Sequence, residues 1–338
     1  KTASYKELAM LPLLSKTTCT SGKKRKINQT GIAKMDEKER TKDVYFGTSF
    51  EDVLYELRNR SNLKICGGCT YLKELPPVSL IIRNIKDFQL IEKRERYIEI
   101  GAGITLASIM ELGEKNVPPV LYQALNSIAT PMVRNIATLG GNICIEPVCG
   151  TLFAPLLAMD AKLEFRVKSD VISLPMTQFS TFSVDSLVPA GSVLTKVRIP
   201  LDDWELSLFR RVGPSWTLNE NCASYAFLAS IQKETLMNLR IAFCGAIRLH
   251  SRELENKLIG TKLPLSPREI EDMLEAAGEY FDQQVQSYYS TEKEKKSVHE
   301  DCSVLGQHLT SCTIASVDFP LLKARFLGLL QESLNHFI

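Results

Sequence analysis

The chain lacks an excess of charge of either sign: 41 lysines and arginines stand against 39 aspartates and glutamates, a formal net charge of +2. That balance gives no reason to expect a nucleic-acid surface. No apolar run approaches the roughly 20 residues that a membrane helix requires, so no membrane association is expected. The first residues carry neither a convincing signal peptide nor an initiator Met, and the numbering is expected to begin after a trimmed segment. Histidine is scarce. The four (250, 299, 308 and 336) all lie in the last third and read as structural surface residues. The nine cysteines (19, 66, 69, 144, 149, 222, 244, 302 and 312) are odd in number and widely spaced. That argues against a disulfide framework and for free thiols in a reducing compartment, so the cytoplasm is the expected location.

What is present is an ordinary globular composition, 44% hydrophobic and 24% charged, over 338 residues, a length that suggests two or three compact units. Within the N-terminal extension 1–43, a short apolar patch in residues 1–14 is followed by polar, charge-dense residues, 15–43, with Lys23-Lys24-Arg25-Lys26 and alternating signs from Lys34 to Asp43. They read as a solvated, partly disordered extension, with a partner-docking segment as the alternative. From Val44 the pattern becomes regular. Thr48 and Glu51 have capping-box spacing ahead of Val53, Leu54 and Leu57. Leu63 to Cys66 and Val78 to Ile82 read as strands around a Gly67-Gly68 turn, giving a βαβ-like unit. Tyr97 to Ile100 is a strand running into Gly101-Ala102-Gly103. Prolines 118, 119 and 131 bracket a helix carrying Leu121, Leu125 and Ile128. Leu156 to Val167 is a helix or turn feeding a strand, and Val193 to Ile199 is another strand.

A composition shift near Leu201 to Leu206 marks a boundary. Beyond it, Ser224 to Gln232 and Leu239 to Ile247 read as adjacent strands. Ser266, Pro267 and Glu269 open a helix whose stripe is Ile270, Met273, Leu274, Ala277 and Phe281. Residues 283–312 are polar and read as a loop. Asp318 caps a last helix with Leu322, Phe326, Leu329 and Leu330 inward.

Two glycine turns stand out: Gly67-Gly68 and Gly140-Gly141, the second within Ala137-Thr138-Leu139-Gly140-Gly141-Asn142. Each lies at the end of a predicted regular element, which suggests two backbone loops closing on one phosphate-bearing ligand. Glycine suits such loops because the chain must approach phosphate oxygens closely and often takes positive φ. Cys66-Gly67-Gly68-Cys69 has the spacing of a zinc site or redox dithiol. It has no second pair, although Cys144 and Cys149 would be the partners of a four-thiolate set; plain free thiols are the expectation and no metal is assigned.

In this order the phrases resemble the FAD-binding subunit of the molybdenum hydroxylases, the xanthine dehydrogenase and carbon monoxide dehydrogenase group. The resemblance runs from Val44 to the C-terminus. It is carried by Gly67-Gly68-Cys69-Thr70-Tyr71-Leu72, Ile100-Gly101-Ala102, Arg134-Asn135-Ile136-Ala137-Thr138-Leu139-Gly140-Gly141-Asn142, Leu156-Leu157-Ala158-Met159-Asp160-Ala161 and Ile241-Ala242-Phe243-Cys244-Gly245-Ala246. The resemblance implies an α+β fold. A two-subdomain FAD-binding domain of the PCMH type would occupy 44–203 (subdomains about 44–100 and 101–203), and a C-terminal domain with a small antiparallel sheet plus helices 204–338.

The resemblance also implies non-covalent FAD, contacted by Ile65, Cys66, Gly67, Gly68, Cys69, Thr70, Tyr71 and Leu72 and by Thr138, Leu139, Gly140, Gly141 and Asn142. Backbone amides would face the phosphates, with the hydroxyls of Thr70 and Thr138 adding donors. Leu194 would lie beside the ring and Arg210 would approach it from the C-terminal domain. No catalytic residue is assigned, because no histidine or other general base falls beside these loops. The molybdenum cofactor and iron–sulfur clusters would sit on partner chains, a molybdopterin-binding subunit and a [2Fe-2S] subunit, with NAD+ or another acceptor taking the electrons. A free-standing FAD oxidoreductase and a scaffold with a decayed flavin site are the alternatives. The chain departs from the family at Pro147-Val148-Cys149-Gly150, where many members have Pro-x-Ser-Asp.

Overall fold

The computed structural model describes residues 42–60, 62–181, 188–301 and 317–338. Most of the N-terminal extension, and residues 302–316 with Cys302, Cys312 and His308, lie outside them, as does Cys19.

Three sheets organise the described chain. The first is built from β1 (Asp43–Phe46), β2 (Lys64–Cys66) and β3 (Val78–Ile81), with α1 (Phe50–Asn59) connecting β1 to β2. Its order is β1-β3-β2 with both pairings parallel, as a βαβ connection requires. The capping box of α1 lies one residue later than the sequence suggested. Ser49 is the N-cap, its side chain accepting from Asp52 N at 3.1 Å, while Asp52 Oδ2 accepts from Ser49 N at 3.1 Å. Phe50 and Val53 then turn inward with Leu80, Ile85, Phe88 and Val193 to form a small core.

The second sheet contains β4 (Ile91–Lys93), β5 (Tyr97–Gly101), β6 (Lys162–Val167), β7 (Asp170–Pro175) and β8 (Val193–Pro200), ordered β4-β5-β8-β6-β7 and antiparallel throughout. Between β5 and β6 the chain forms α2 (Leu106–Glu111), α3 (Pro119–Asn126), α4 (Pro131–Arg134), α5 (Leu139–Ile143) and α6 (Phe153–Ala158); α7 (Met176–Thr181) follows β7. Prolines open α3 and α4, where a missing N–H costs nothing. Every residue of α6 is buried. Such a helix needs cover on all sides, and it receives it from the third sheet.

That sheet is β12-β11-β10-β9, built from β9 (Leu206–Val212), β10 (Ala223–Gln232), β11 (Thr235–Cys244) and β12 (Arg248–Leu249). Side chains alternate across it. Phe209, Ala226, Leu228, Ala242 and Cys244 join the large core that encloses α6. Tyr225, Phe227 and Phe243 face the other way, against α9 (Pro267–Asp301) and α10 (Phe319–Leu334), meeting Phe281 and Phe326. The short α8 (Arg252–Asn256) precedes them. With both faces covered, β10 and β11 have lost the polar alternation of a one-sided sheet, which explains their near-continuous apolar runs.

The Ser266–Glu269 box at the start of α9 and the Asp318 cap of α10 form as expected. Leu274 and Leu329 are only half-buried at the margins of the core. One expectation fails outright: residues 283–301 are not a loop, because α9 continues to Asp301. Nor is His250 a surface residue. Its Nδ1 lies 3.2 Å from the Ile241 carbonyl and 3.3 Å from Glu255 Oε1, with the side chain 8% exposed.

Candidate functional site

The residues singled out in the first two glycine phrases come together. Thr138 caps α5, its hydroxyl accepting from Gly141 N at 3.1 Å. The Ile100-Gly101-Ala102 turn lies directly against this segment: Gly140 N donates to Ala102 O (2.8 Å), Leu139 N to Ile104 O (2.9 Å) and Leu106 N to Ala137 O (2.9 Å). Gly67 and Gly68 then pack on the same segment. A Cβ on Gly67 would stand 2.7 Å from Thr138 Oγ1, and one on Gly68 2.1 Å from the Ile136 carbonyl oxygen. Only a residue without a side chain permits that approach. Neither glycine has positive φ; the residue in the left-handed region is Cys69, at 55°. The glycines therefore serve loop-to-loop contact, a reason the sequence reading did not supply.

The second glycine segment is not an open turn as read from the sequence, because Gly140 and Gly141 lie in the first turn of α5. The two loops also differ in what they offer a ligand. The amides of Leu139, Gly140, Gly141 and Asn142 are all consumed within the protein. Those of Gly67, Gly68, Cys69 and Thr70 have no hydrogen-bond partner among the described residues. Four consecutive unengaged donors on a half-buried turn suit an anion with several acceptor oxygens. Gly141 is exposed, and beyond Thr138 Oγ1 nothing lies within 4 Å of the space a Cβ would fill. The residues present fit a phosphate-bearing cofactor laid on the first loop and passing over Gly141.

Other expected contacts fall elsewhere or carry other work. Asn142 is buried, with Oδ1 accepting from Leu152 N at 3.0 Å, so its carbonyl oxygen fixes the segment after α5. Leu139 and Gly140 are buried; Ile65 is half-buried in the small core, and Cys66 is buried at the end of β2. Thr70, Tyr71 and Leu72 are exposed. Leu194 sits in the large core opposite Phe165. Arg210 is not brought to the loops: strand alternation turns it to the face of the C-terminal helices, where it pairs with Glu332 at 3.0 Å. Its neighbour Arg211 faces the glycine loops' side of the sheet, donating to the hydroxyl of Thr151 and to the carbonyls of Pro214 (3.2 Å) and Thr217 (2.7 Å). An Arg-Arg pair on a strand always leaves this choice open, and only knowledge of the sheet's two faces resolves it.

The missing carboxylate after the second loop has a steric counterpart. A Cβ on Gly150 would come within 2.1 Å of Asn142 O and 2.7 Å of Asn142 Oδ1, so no side chain fits there. Cys149 is buried and accepts from Arg248 Nε at 3.3 Å, while its amide donates to Gly245 O at 3.0 Å. Burial pushes its thiol up, as it does that of Cys66. Among the described residues, no group of three or more His, Cys, Asp or Glu side chains is placed to hold a metal. No described helix is long and apolar enough to cross a membrane.

Comparison with known proteins agrees with this geometry. Residues 39–202 match the family described as FAD binding domain in molybdopterin dehydrogenase. The chain is 24% identical over 236 residues to the nicotinate dehydrogenase FAD-subunit of Eubacterium barkeri, covering 64% of this chain and 78% of that one. It is 36% identical over 86 residues to a xanthine dehydrogenase FAD-binding subunit of Escherichia coli O157:H7, covering 25% and 29%. In fold it is similar to a chain of the carbon monoxide dehydrogenase of Hydrogenophaga pseudoflava, with a TM-score of 0.68 at 18% identity over 88% of this chain and 96% of that one. The matched region spans both glycine segments, so residues 39–202 carry the FAD binding domain of the molybdopterin dehydrogenase family, and the chain as a whole is similar to FAD-binding oxidoreductase subunits.

Proposed function

We propose that the chain is the electron-transfer flavoprotein of a cytoplasmic hetero-oligomer, receiving electrons from iron–sulfur centres on a partner chain and passing them to NAD+ or another acceptor. The observation that carries the reading is the first glycine loop, which packs on the second at Gly67 and Gly68 and whose four amides have no partner among the described residues. In this reading Gly67 to Thr70 bind the pyrophosphate. Thr138 and Ile136 back Gly67 and Gly68, and Gly141 leaves the passage open. The bound flavin would supply acceptance of single electrons and release of an electron pair, chemistry that belongs to the cofactor. The chain's own residues bind and orient it. Among the described side chains no histidine stands at the loops, and Glu146 is exposed, which supports no base acting toward an organic substrate there. That supports a relay, with substrate oxidation on a molybdopterin-binding partner and single electrons arriving through a [2Fe-2S] partner. The names of the relatives, nicotinate and xanthine dehydrogenase subunits, support a nitrogen heterocycle as the substrate class of the assembly.

Anaerobic addition of NADH to the purified, FAD-loaded full chain tests the acceptor. Rapid loss of flavin absorbance supports nicotinamide chemistry at this flavin. Bleaching by a heterocycle in the absence of partner chains would instead make it a free-standing oxidoreductase.

A further inference from the structure

We infer that Trp216 is the platform on which the isoalloxazine ring of the bound flavin stacks, an inference that rests on the reading of the glycine loops given above. Trp216 and Met132 are each 79% exposed, the largest exposures among the described large apolar side chains. A single exposed apolar residue is unremarkable in a soluble protein. These two belong to segments joined to each other and to the second glycine loop. Ala129 N donates to Ser215 O at 2.9 Å, next to Trp216. The stretch from Ala129 to Ile136 is itself fixed by Arg134, whose Nη1 donates to the carbonyls of Ile128 (2.6 Å) and Ala129 (3.0 Å).

The backbone beneath the indole is stiff. Arg211 gathers the carbonyls of Pro214 and Thr217 from either side of Trp216 and reaches the hydroxyl of Thr151. Thr151 adjoins Leu152, whose amide is held by Asn142 of the second loop. Gly213 starts the turn at φ 93°, where a Cβ would meet Cys222 Sγ at 2.7 Å. The loop is thus anchored on both flanks of the second glycine loop, at Ala129 before it and at Thr151 after it. A rigid backbone holding a largely exposed indole presents a flat π face at little entropic cost to whatever covers it.

A flavin is the occupant the site chemistry supplies: a flat, electron-poor tricycle whose diphosphate is seated on the adjoining loop. Tyr71 (37% exposed) is the aromatic on the first loop, but it already has a partner in the structure. Ring-on-ring stacking is worth about 0.5–1.5 kcal/mol beyond burial, or roughly two- to tenfold in affinity.

The test is FAD titration of the apo full chain, reading flavin emission as well as the dissociation constant. We expect quenched flavin emission in the wild-type protein. In Trp216→Ala the emission should be several-fold brighter and the dissociation constant raised about five- to tenfold, with both largely restored in Trp216→Phe. Thermal unfolding of the apo variants should match wild type, since the side chain is exposed. Unchanged affinity and emission in Trp216→Ala would overturn the inference while leaving the FAD site standing, and loss of assembly with partner chains in that variant would reassign the indole to a subunit contact. A wild-type chain that takes up no FAD would remove the underlying reading and this one with it.

Discussion

At the scale of single residues, the glycines of the two loops do different work. Gly68 has its position because the Ile136 carbonyl lies where a Cβ would be. Gly68→Ala must separate the loops, with an expected cost of about 1–3 kcal/mol and loss of retained flavin; calorimetry and the flavin-to-protein absorbance ratio read the two effects. Gly141 has open space beyond Thr138 Oγ1. Gly141→Val should abolish FAD retention while circular dichroism still shows the native fold, and unchanged flavin content would refute the assignment of this loop. Replacing both Cys66 and Cys69 by Ser should keep flavin and fold alike. Burial and the neighbouring Cys69 push the Cys66 thiol up, away from the thiolate form that metal binding or redox chemistry requires; a stoichiometric metal present in wild type and lost in the variant would reverse this. Gly67-Gly68 was legible as a loop, whereas Gly140-Gly141, read as a turn, lie in the first turn of the short helix α5 (Leu139–Ile143). That the two segments pack on each other was not legible, because Gly68 and Ile136 are distant in sequence and a carbonyl oxygen leaves no side-chain signature.

At the scale of elements, periodicity marked the apolar faces well and failed where two solutions were equivalent or where no apolar face existed. Thr48–Glu51 and Ser49–Asp52 share the capping-box spacing; the second forms because it brings Phe50 and Val53 into the small core. Ser49→Ala should cost about 1 kcal/mol, seen as a lower melting temperature. The polar stretch from Gln283 to Asp301 has no strong apolar stripe but is rich in Gln, Glu and Lys, good helix formers, and α9 continues through it. Arg210 and Arg211 make the same point for strands. Alternation says that they face opposite ways, but which one lies on the side of the glycine loops depends on which sheet face carries α9 and α10.

At the scale of the whole molecule, buried charge ties the strands together. Glu99 on β5 is 8% exposed; burial works to raise its pKa, but Lys196 (2.9 Å) and Arg198 (2.6 Å) on β8 outweigh it and hold the carboxyl below the ordinary value of 4.5. A depressed carboxylate adds stability above its unfolded pKa and loses it as pH falls through the folded one. Glu99→Gln should therefore be less stable than wild type at pH 7, with the difference shrinking as pH drops below 4.5 in denaturant titrations. Glu255 is fully buried and accepts from Ile241 N (2.8 Å) and Arg252 Nη1 (3.0 Å); Glu255→Ala should cost about 3 kcal/mol, measured the same way. Taken alone, the sequence determined the strands and helices with a clear apolar period, the Gly67-Gly68 turn and, through five ordered phrases, the resemblance to the FAD-binding family. Those are local properties, written in the spacing of neighbouring residues. Only the tertiary structure decided that the first loop's amides have no partner among the described residues while the second spends its own, that Arg211 rather than Arg210 lies on the loops' side of the sheet, and that Gly150 has no room for a side chain. Each of these depends on groups brought together from separate elements, and a donor's availability is settled only by which acceptor the fold places beside it.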